Sequence, residues 1–474
     1  MTTVVDEPMS VEKAEVKGVV THRVGVRAMI DPKGRSQDEM DLLHFGKRPQ
    51  LKRSFGFFSM VGLTCTLMAS WESIFSVFLD GFQNGGPAGL VYGFIFCWFG
   101  NLAVILSMAE LSSMIPLSGG QYHWVACLAP QSQMKFLSYV TGWVTMLGWQ
   151  TAVASLAYLG GTIIQGLIVL NYPDYNFQRW HGTLLFYAII AVNVIGNTLL
   201  AKYLPVLEGI FLFLHVAGFL GVLIPLVRLA PHVPASDVFA QFLNQGGWSS
   251  DGLSFFVGIV TSVFAFIGAD AACHLAEEIE NAAVIVPWSM IATVIINGVL
   301  GFAILIAILF CIGDIDSALT TPTGYPFIAI FVQATNSNAG ASAMTAIVVG
   351  VLILGSIGVL TTASRMLWAF ARDNGVPASK YISRVDPSTK LPLYAIAVTT
   401  IISLLLALIN IGSAVAFNAL TSLVVAGFFS SYAISISLIT IRRFYGEPIQ
   451  WGPWNMGKFG LPVNLFAMVY IVIA

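Results

Sequence analysis

Two carboxylates lie inside apolar stretches long enough to cross a bilayer: Glu72 within Gly56 to Asp80, and Asp270 within Leu253 to Ala276. A carboxylate at mid-membrane costs roughly 2.5–3.5 kcal/mol on insertion scales, so such a residue is kept where it meets a partner, an ion or a substrate path. Small residues interrupt both stretches. Gly62, Ala69 and Ser70 precede Trp71 and Glu72 in the first, and the second carries Ser262, Phe264, Ala265, Phe266, Gly268 and Asp270. Small residues alone can serve close helix packing. Next to an acid they also let a helix open, so that freed amides, carbonyls and half-helix ends hold polar groups in a protein-lined cavity. Trp71, Phe264 and Phe266 add aromatic faces, over which an ammonium gains about 0.5–2 kcal/mol. Any one ring reads as core filling, but acid plus ring suits a cationic amine. The pattern predicts a single polar chamber shared by both acids, with Ala69, Ser70, Trp71, Glu72, Phe264, Phe266, Gly268 and Asp270 around the substrate.

Positioning such residues requires a membrane bundle. The 474-residue chain is 57% hydrophobic and 10% charged, against about 25% charge in an ordinary soluble domain. Crossing the hydrocarbon layer takes about 20 apolar residues. Eleven spans are expected on that basis, near 55–80, 87–110, 136–170, 183–201, 204–228, 253–276, 288–312, 341–370, 393–412, 414–441 and 461–474. The last holds only 14 residues, which reads as a truncated chain or a partial helix. With the N-terminus in the cytoplasm, inner segments hold 14 Lys or Arg and outer segments only Arg179 and Arg228, a strong vote for that orientation. Five spans on each side of a polar loop must run in opposite senses, which is the inverted-repeat condition. The expected organisation is a cytoplasmic, largely disordered tail over 1–54, repeats over 55–228 and 253–442, an extracellular loop over 229–252, and a cytoplasmic loop with a partial eleventh helix over 443–474.

Other chemistries find little support. Net charge is −2 with no basic face, which argues against nucleic acid as a partner. The first 54 residues hold 10 Lys or Arg and 8 Asp or Glu with no apolar core, so no secretory signal peptide is visible. The five cysteines are scattered, without metal-ligand spacing, and read as packing residues. His123 and His274 stand alone, and neither reads as a metal ligand. Gly85 to Gly89 is glycine-rich but reads as a turn rather than a phosphate loop. Glu110 and Glu208 fall near interfaces and read as structural, water-accessible acids. No cluster of nucleophile and base suggests an enzyme, and no cofactor is implied. The run Glu277, Glu278 and Glu280 ends the sixth span; it reads as a solvated cluster or, with Arg365 and Arg372, as ion pairs of an inner gate.

Three stretches are similar to a known family: Pro116-Leu-Ser-Gly-Gly-Gln-Tyr-His-Trp124; Phe264-Ala-Phe-Ile-Gly-Ala-Asp270 continuing to Glu277, Glu278 and Pro287; and Ser364-Arg-Met-Leu-Trp-Ala-Phe-Ala-Arg-Asp-Asn-Gly375 with Pro377. From about Phe45 onward the chain resembles the fungal amino acid, 4-aminobutyrate and choline permeases of the amino acid-polyamine-organocation superfamily. The resemblance implies an all-α polytopic membrane protein with a LeuT-like bundle, two inverted five-helix repeats whose helices 1 and 6 are broken, and two further helices. It also implies a substrate site between those breaks and alternating access. Family members carry a Gly-Ser-Gly-like run that holds an amino acid carboxylate; here the matching run is Ala69-Ser70-Trp71, and Trp71 and Glu72 depart from it, leaving choline-like and other amines open. Phe264 matches the family's aromatic gate, and Asp270 a common acidic position.

His215 falls where some proton-coupled relatives carry a lysine. Its ordinary pKa near ~6.5 suits a coupling proton; the alternative is a neutral ring bonded to a neighbouring helix. Thr361 and Thr362 lie where sodium-coupled relatives place hydroxyl ligands, yet such hydroxyls usually bond their own helix, so the proton is the preferred coupling ion. The expected function is proton-coupled uptake of a small amine through the plasma membrane. An exporter of a secondary metabolite and a non-transporting nutrient sensor are the competing readings.

Overall fold

The computed structural model describes residues 35–412 and 416–474, and apart from two isolated β-bridges their regular structure is helical. The first helix, α1 (Gln37–His44), starts at a capping box: the Ser36 hydroxyl accepts the Glu39 N–H, and the Glu39 carboxylate accepts the Ser36 N–H. The tail expected to be disordered is thus ordered from this point; its residues 1–34 lie outside the described residues. The first half continues through α2 (Phe57–Met68), α3 (Ser70–Ser76), α4 (Phe78–Gln83), α5 (Gly86–Met114), α6 (Gln121–Leu128), α7 (Met134–Asn171), α8 (Arg179–Thr198) and α9 (Leu204–Leu229). A loop with the short α10 (Ala235–Phe239) leads into α11 (Asp251–Gly258), α12 (Val260–Phe264) and α13 (Ala271–His274). The chain then runs through α14 (Ala282–Phe310), α15 (Ile315–Leu319), α16 (Pro326–Thr335), α17 (Asn338–Arg372), α18 (Ser379–Ile382), α19 (Leu393–Ala407), α20 (Ile409–Gly412), α21 (Ala416–Phe444) and α22 (Gly460–Ile473).

Eight helices among the described residues are long and apolar enough to cross a membrane. The other three expected spans are the two interrupted ones and the short α22, which lies along α5 with the Tyr470 hydroxyl accepting from Asn101 at 2.6 Å. Helices α6 and α16 occupy segments that carry no long apolar run, and each is too short to span.

Both interruptions have a visible cause. Between α2 and α3, Ala69 adopts φ 46° and ψ 45°, a left-handed conformation that costs a non-glycine residue roughly 1–2 kcal/mol. Asn297 on α14 bridges the gap: its Nδ2 donates to the Cys65 carbonyl at 3.2 Å, and its Oδ1 accepts the Ser70 N–H at 3.4 Å. Backbone groups freed by the break are thereby satisfied inside the protein, the condition for an interrupted helix at membrane depth. Between α12 and α13 the chain turns over 265–270, and Gly268 has φ 106° with Leu67 so near that a Cβ would stand 2.6 Å from its side chain. The two breaks touch. The Ser70 hydroxyl donates to the Ala265 carbonyl at 2.5 Å.

Candidate functional site

A cavity of about 30 Å³ separates the breaks, room for about one water molecule. Leu67, Met68 and Ser73 line it from the first break, Phe264, Ile267 and Gly268 from the other, and Trp149, Ser155 and Phe428 come in from α7 and α21. Trp149 packs edge-on against Phe428 with ring centroids 4.9 Å apart. The Trp149 Nε1 and Ser155 Oγ, both buried, have no hydrogen-bond partner among the described residues. Beyond Phe264 lies a second cavity of about 210 Å³, bounded by Val77, Asp80, Asn84, Val257, Val260, Thr261, Thr421 and Ser422. Phe264 lines both cavities and so forms the partition between them.

The shared acidic chamber does not form. Glu72 turns to α9, where its Oε1 meets His215 Nδ1 at 2.8 Å with both side chains fully buried. Trp71 covers that pair, its ring 5.9 Å from His215 and 6.2 Å from Phe219. Asp270 turns to the start of α6, where Gln121 Nε2 donates to its Oδ2 at 2.7 Å; His274 Nε2 lies 3.5 Å from the same oxygen. Phe266 stacks obliquely on Phe94 of α5 at 4.9 Å and lies outside the cavity lining. The reason is helical phase: neighbours step about 100° around the axis, so with Ser73 toward the cavity, Glu72 must point elsewhere. Of the eight expected residues, Phe264 and Gly268 line the cavity, while Ala69 and Ser70 build the break itself.

The inner-gate residues come together as two ion pairs. Arg372 grips Glu277 with two bonds of 2.7 Å, and Arg365 Nε bonds Glu278 Oε1 at 2.7 Å. The segment before α2 joins them: Phe55 bridges in parallel to Ile279, the Ser54 N–H donates to the Glu278 carbonyl, and Arg53 bonds the Ala276 and Ile279 carbonyls. Asp38 of α1 accepts the Asn281 and Ala282 N–H groups at 2.8 and 2.9 Å, capping α14. Just past α17, Asp373 takes Lys47, the Tyr122 hydroxyl at 2.9 Å and His123 Nε2 at 2.9 Å. Burial pushes the Asp373 carboxyl up, but the bonds from His123 and Lys47 outweigh it and hold the group well below the usual carboxylate range. Burial also holds His123 toward the neutral ring, so Lys47 is the cation of this cluster.

Other expectations resolve plainly. Thr361 bonds Asn197 and the Ile357 carbonyl, and Thr362 the Gly358 carbonyl, so both hydroxyls are engaged within the helices. Glu110 and Glu208 are not water-accessible: Glu110 is buried against Arg443 at 2.7 Å, and Glu208 is buried with Thr66 Oγ1 at 3.5 Å. Four cysteines are buried, whereas Cys127 is exposed. Trp149, Phe428 and Asn297 carry no sequence signal, because they lie on long helices whose apolar pattern marks no face, and the bonding of Gln121 depends on a tertiary contact that no periodicity encodes. Only Gln121 carried a signal, its place within Pro116 to Trp124.

Residues 55–474 match a family model described as "Amino acid permease". A Macrophomina phaseolina protein named as an amino acid/polyamine transporter is 34% identical over 418 residues, 88% of this chain and 92% of that protein. The choline transporter of Saccharomyces cerevisiae is 31% identical over 430 residues, 89% of this chain and 75% of its own length. The GABA-specific permease of the same yeast is 29% identical over 443 residues, 92% of this chain and 76% of its own. The chain therefore belongs to the amino acid permease family of the amino acid-polyamine-organocation superfamily, and is a multi-pass membrane transporter, not an enzyme, with that superfamily's LeuT-like fold.

Proposed function

We propose that this permease carries a small amine-bearing metabolite, such as choline, 4-aminobutyrate or an amino acid, into a fungal cell across the plasma membrane, driven by protons, with its N-terminus in the cytoplasm. The observation that carries the reading is the lining between the two breaks, Trp149, Phe264 and Phe428 with no carboxylate, which in this closed conformation leaves the volume of about one water and so admits a cargo only when the Phe264 partition or the inner gate parts. Aromatic faces attract a desolvated ammonium by about 2 kcal/mol, and they do so without the tight ion pair that would slow release. The relatives named for choline and GABA transport agree with such a cargo. The Arg372–Glu277 and Arg365–Glu278 pairs are the closed inner gate, Phe264 is the outer partition, and the repeats 55–228 and 253–442 rock about the site between them. The Glu72–His215 pair supports proton drive, since a buried carboxylate and imidazole 2.8 Å apart can hold and pass a proton.

The test is uptake of labelled choline in yeast lacking its own choline and 4-aminobutyrate permeases, with unlabelled 4-aminobutyrate and basic amino acids as competitors, at acidic and neutral pH. Acid-stimulated uptake abolished by a protonophore is expected for at least one of these cargoes. Normal surface expression with no uptake of any of them overturns the reading, and net efflux from preloaded cells converts it to an exporter.

A further inference from the structure

The imidazole of His274 is fixed by a neighbour that can only accept. Its Nδ1 lies 3.1 Å from the backbone carbonyl oxygen of Ser118, so the ring proton stands on Nδ1. That leaves Nε2 facing Asp270 Oδ2 at 3.5 Å, one turn back on the same element. If the ring is neutral and the acid ionised, two lone pairs oppose each other in a site where both residues are fully buried; the Gln121 amide still answers the carboxylate, but His274 Nε2 is left without a donor among the described residues, which costs the full desolvation of that atom. One additional proton removes the conflict, whether it resides on Nε2 or on the carboxyl. From the geometry we infer that Asp270 and His274 together bind a single transported proton, as the inner of two proton stations of which Glu72–His215 is the other. This rests on the proton-driven reading above.

The surroundings say when the proton is held and when it leaves. Gln121 of α6 donates to Asp270 Oδ2, Tyr432 of α21 faces the same carboxyl, and Trp149 of α7 closes over the imidazole edge-on at 5.6 Å. Cys273 is the neighbouring thiol on α13 itself. Of the other elements packed on α13, α2 and α14 carry no acid, lysine, arginine or histidine, and the α17 cations Arg365 and Arg372 are already bonded to Glu278 and Glu277. His123 of α6 is engaged by Asp373, so among the described residues α2, α6, α14 and α17 leave no unpaired lysine or arginine to stabilise an ionised Asp270. The segment Ser118–Gln121 is the cover: it supplies the Ser118 carbonyl and the Gln121 amide, and it is tied to the gate, since the Glu277 N–H donates to Ser118 Oγ and the Ser118 N–H to Glu277 Oε1. Parting of Glu277 from Arg372 draws this cover off, admits water and frees the proton on the gate side. Closure restores the dry pair and its demand for a proton.

The experiment uses the full-length protein reconstituted in liposomes, with choline or 4-aminobutyrate as cargo according to the uptake assay. For one proton per cycle, an imposed inward gradient of one pH unit supports about tenfold accumulation at zero membrane potential. Asp270→Asn and His274→Gln are each expected to bring that ratio near one while preserving cargo–cargo counterflow, which needs a folded, alternating carrier but no net proton movement. Infrared difference spectra on a pH jump provide a second readout: Asp270→Asn removes a carboxyl band that His274→Gln moves along the pH axis. If wild type ignores the pH gradient, the proton-driven reading fails. If wild type follows it and both variants still accumulate tenfold, or if the band and its titration are unchanged, this site alone is overturned.

Discussion

Glu72 reaches its histidine across a helix boundary, 2.8 Å from His215 on α9, whereas Asp270 finds His274 one turn further along its own element at 3.5 Å. Acid and base are the same in both places, but what can alter them differs. The Glu72–His215 bond joins α3 to α9, so a rigid-body shift between those helices stretches it directly. Asp270 and His274 move as one body, and their environment is changed only by the elements that face them, first the cover Ser118–Gln121 that bonds both side chains. The supporting bonds differ as well. Among the described residues each pair leaves two atoms without a partner, Glu72 Oε2 and His215 Nε2 in one and Asp270 Oδ1 and His274 Nε2 in the other, but Asp270 Oδ2 keeps Gln121 and His274 Nδ1 keeps the Ser118 carbonyl whatever the other member does.

The first consequence is a difference in stability. Removing one partner of a buried pair leaves an uncompensated group and costs about 3–5 kcal/mol. His215→Ala strips Glu72 of its sole side-chain bond, so it should lower the thermal midpoint of the detergent-solubilised protein by far more than His274→Ala does. The apolar double variant Glu72→Leu with His215→Leu should regain most of the loss, because replacing both members by packed hydrophobes is close to neutral. Equal losses for the two histidine variants would erase the distinction drawn above.

How much of this was legible beforehand follows from which physical signals survive in a sequence. The two interruptions were readable, since Ala69 and Gly268 stand in otherwise bulky apolar runs and each precedes an acid. Pairing of Glu277 and Glu278 with Arg365 and Arg372 was also readable as one of two options, because charges at the ends of two spans seek each other out of lipid. Rotation about the helix axis was not. A break resets the phase of the helix that follows it, and the bearing of Glu72 depends on the left-handed turn at Ala69, which no periodicity encodes. The same holds for Trp71 and Phe266, whose aromatic character was visible while their direction was not. Trp149 and Phe428 were hidden for a different reason: on helices apolar all round, nothing separates a cavity-facing ring from a core one.

The cavity sharpens the comparison at intermediate size. Trp149 and Phe428 border it, whereas Phe266 packs on Phe94 outside it. A cation–aromatic contact is worth about 0.5–2 kcal/mol, so Phe428→Leu should raise KM for a quaternary ammonium cargo by roughly 2- to 30-fold with little change in maximal rate. Phe266→Leu, which removes part of a buried ring and its contact with Phe94, should leave KM alone while costing roughly 1–2 kcal/mol of stability. Initial-rate uptake in cells expressing matched amounts of each variant reads both outcomes. A larger KM effect from Phe266 than from Phe428 would move the cargo to the other face of the sixth-span break.

A third acid–histidine contact, at the end of the bundle, supplies the smallest effect and the cleanest pH test. Asp373 meets His123 at 2.9 Å as well as Lys47, and the Asp373 and Lys47 side chains are 25% and 18% exposed. Its carboxyl is held below the usual carboxylate value by those partners. A depressed carboxyl contributes stability that is complete above its unfolded pKa near ~3.9 and is lost as pH falls through the lower folded value. Solvent screening limits a pair this exposed to about 0–1 kcal/mol. Asp373→Asn should therefore lower the thermal midpoint slightly at neutral pH, by an amount that stays constant down to about pH 4 and closes only in stronger acid. Were the gap to close between about pH 5 and 7, the titrating group would be His123 rather than Asp373. Lys47 would then not be the cation that holds this cluster, and an acid at the bundle's end would depend on its histidine as fully as the buried Glu72 does.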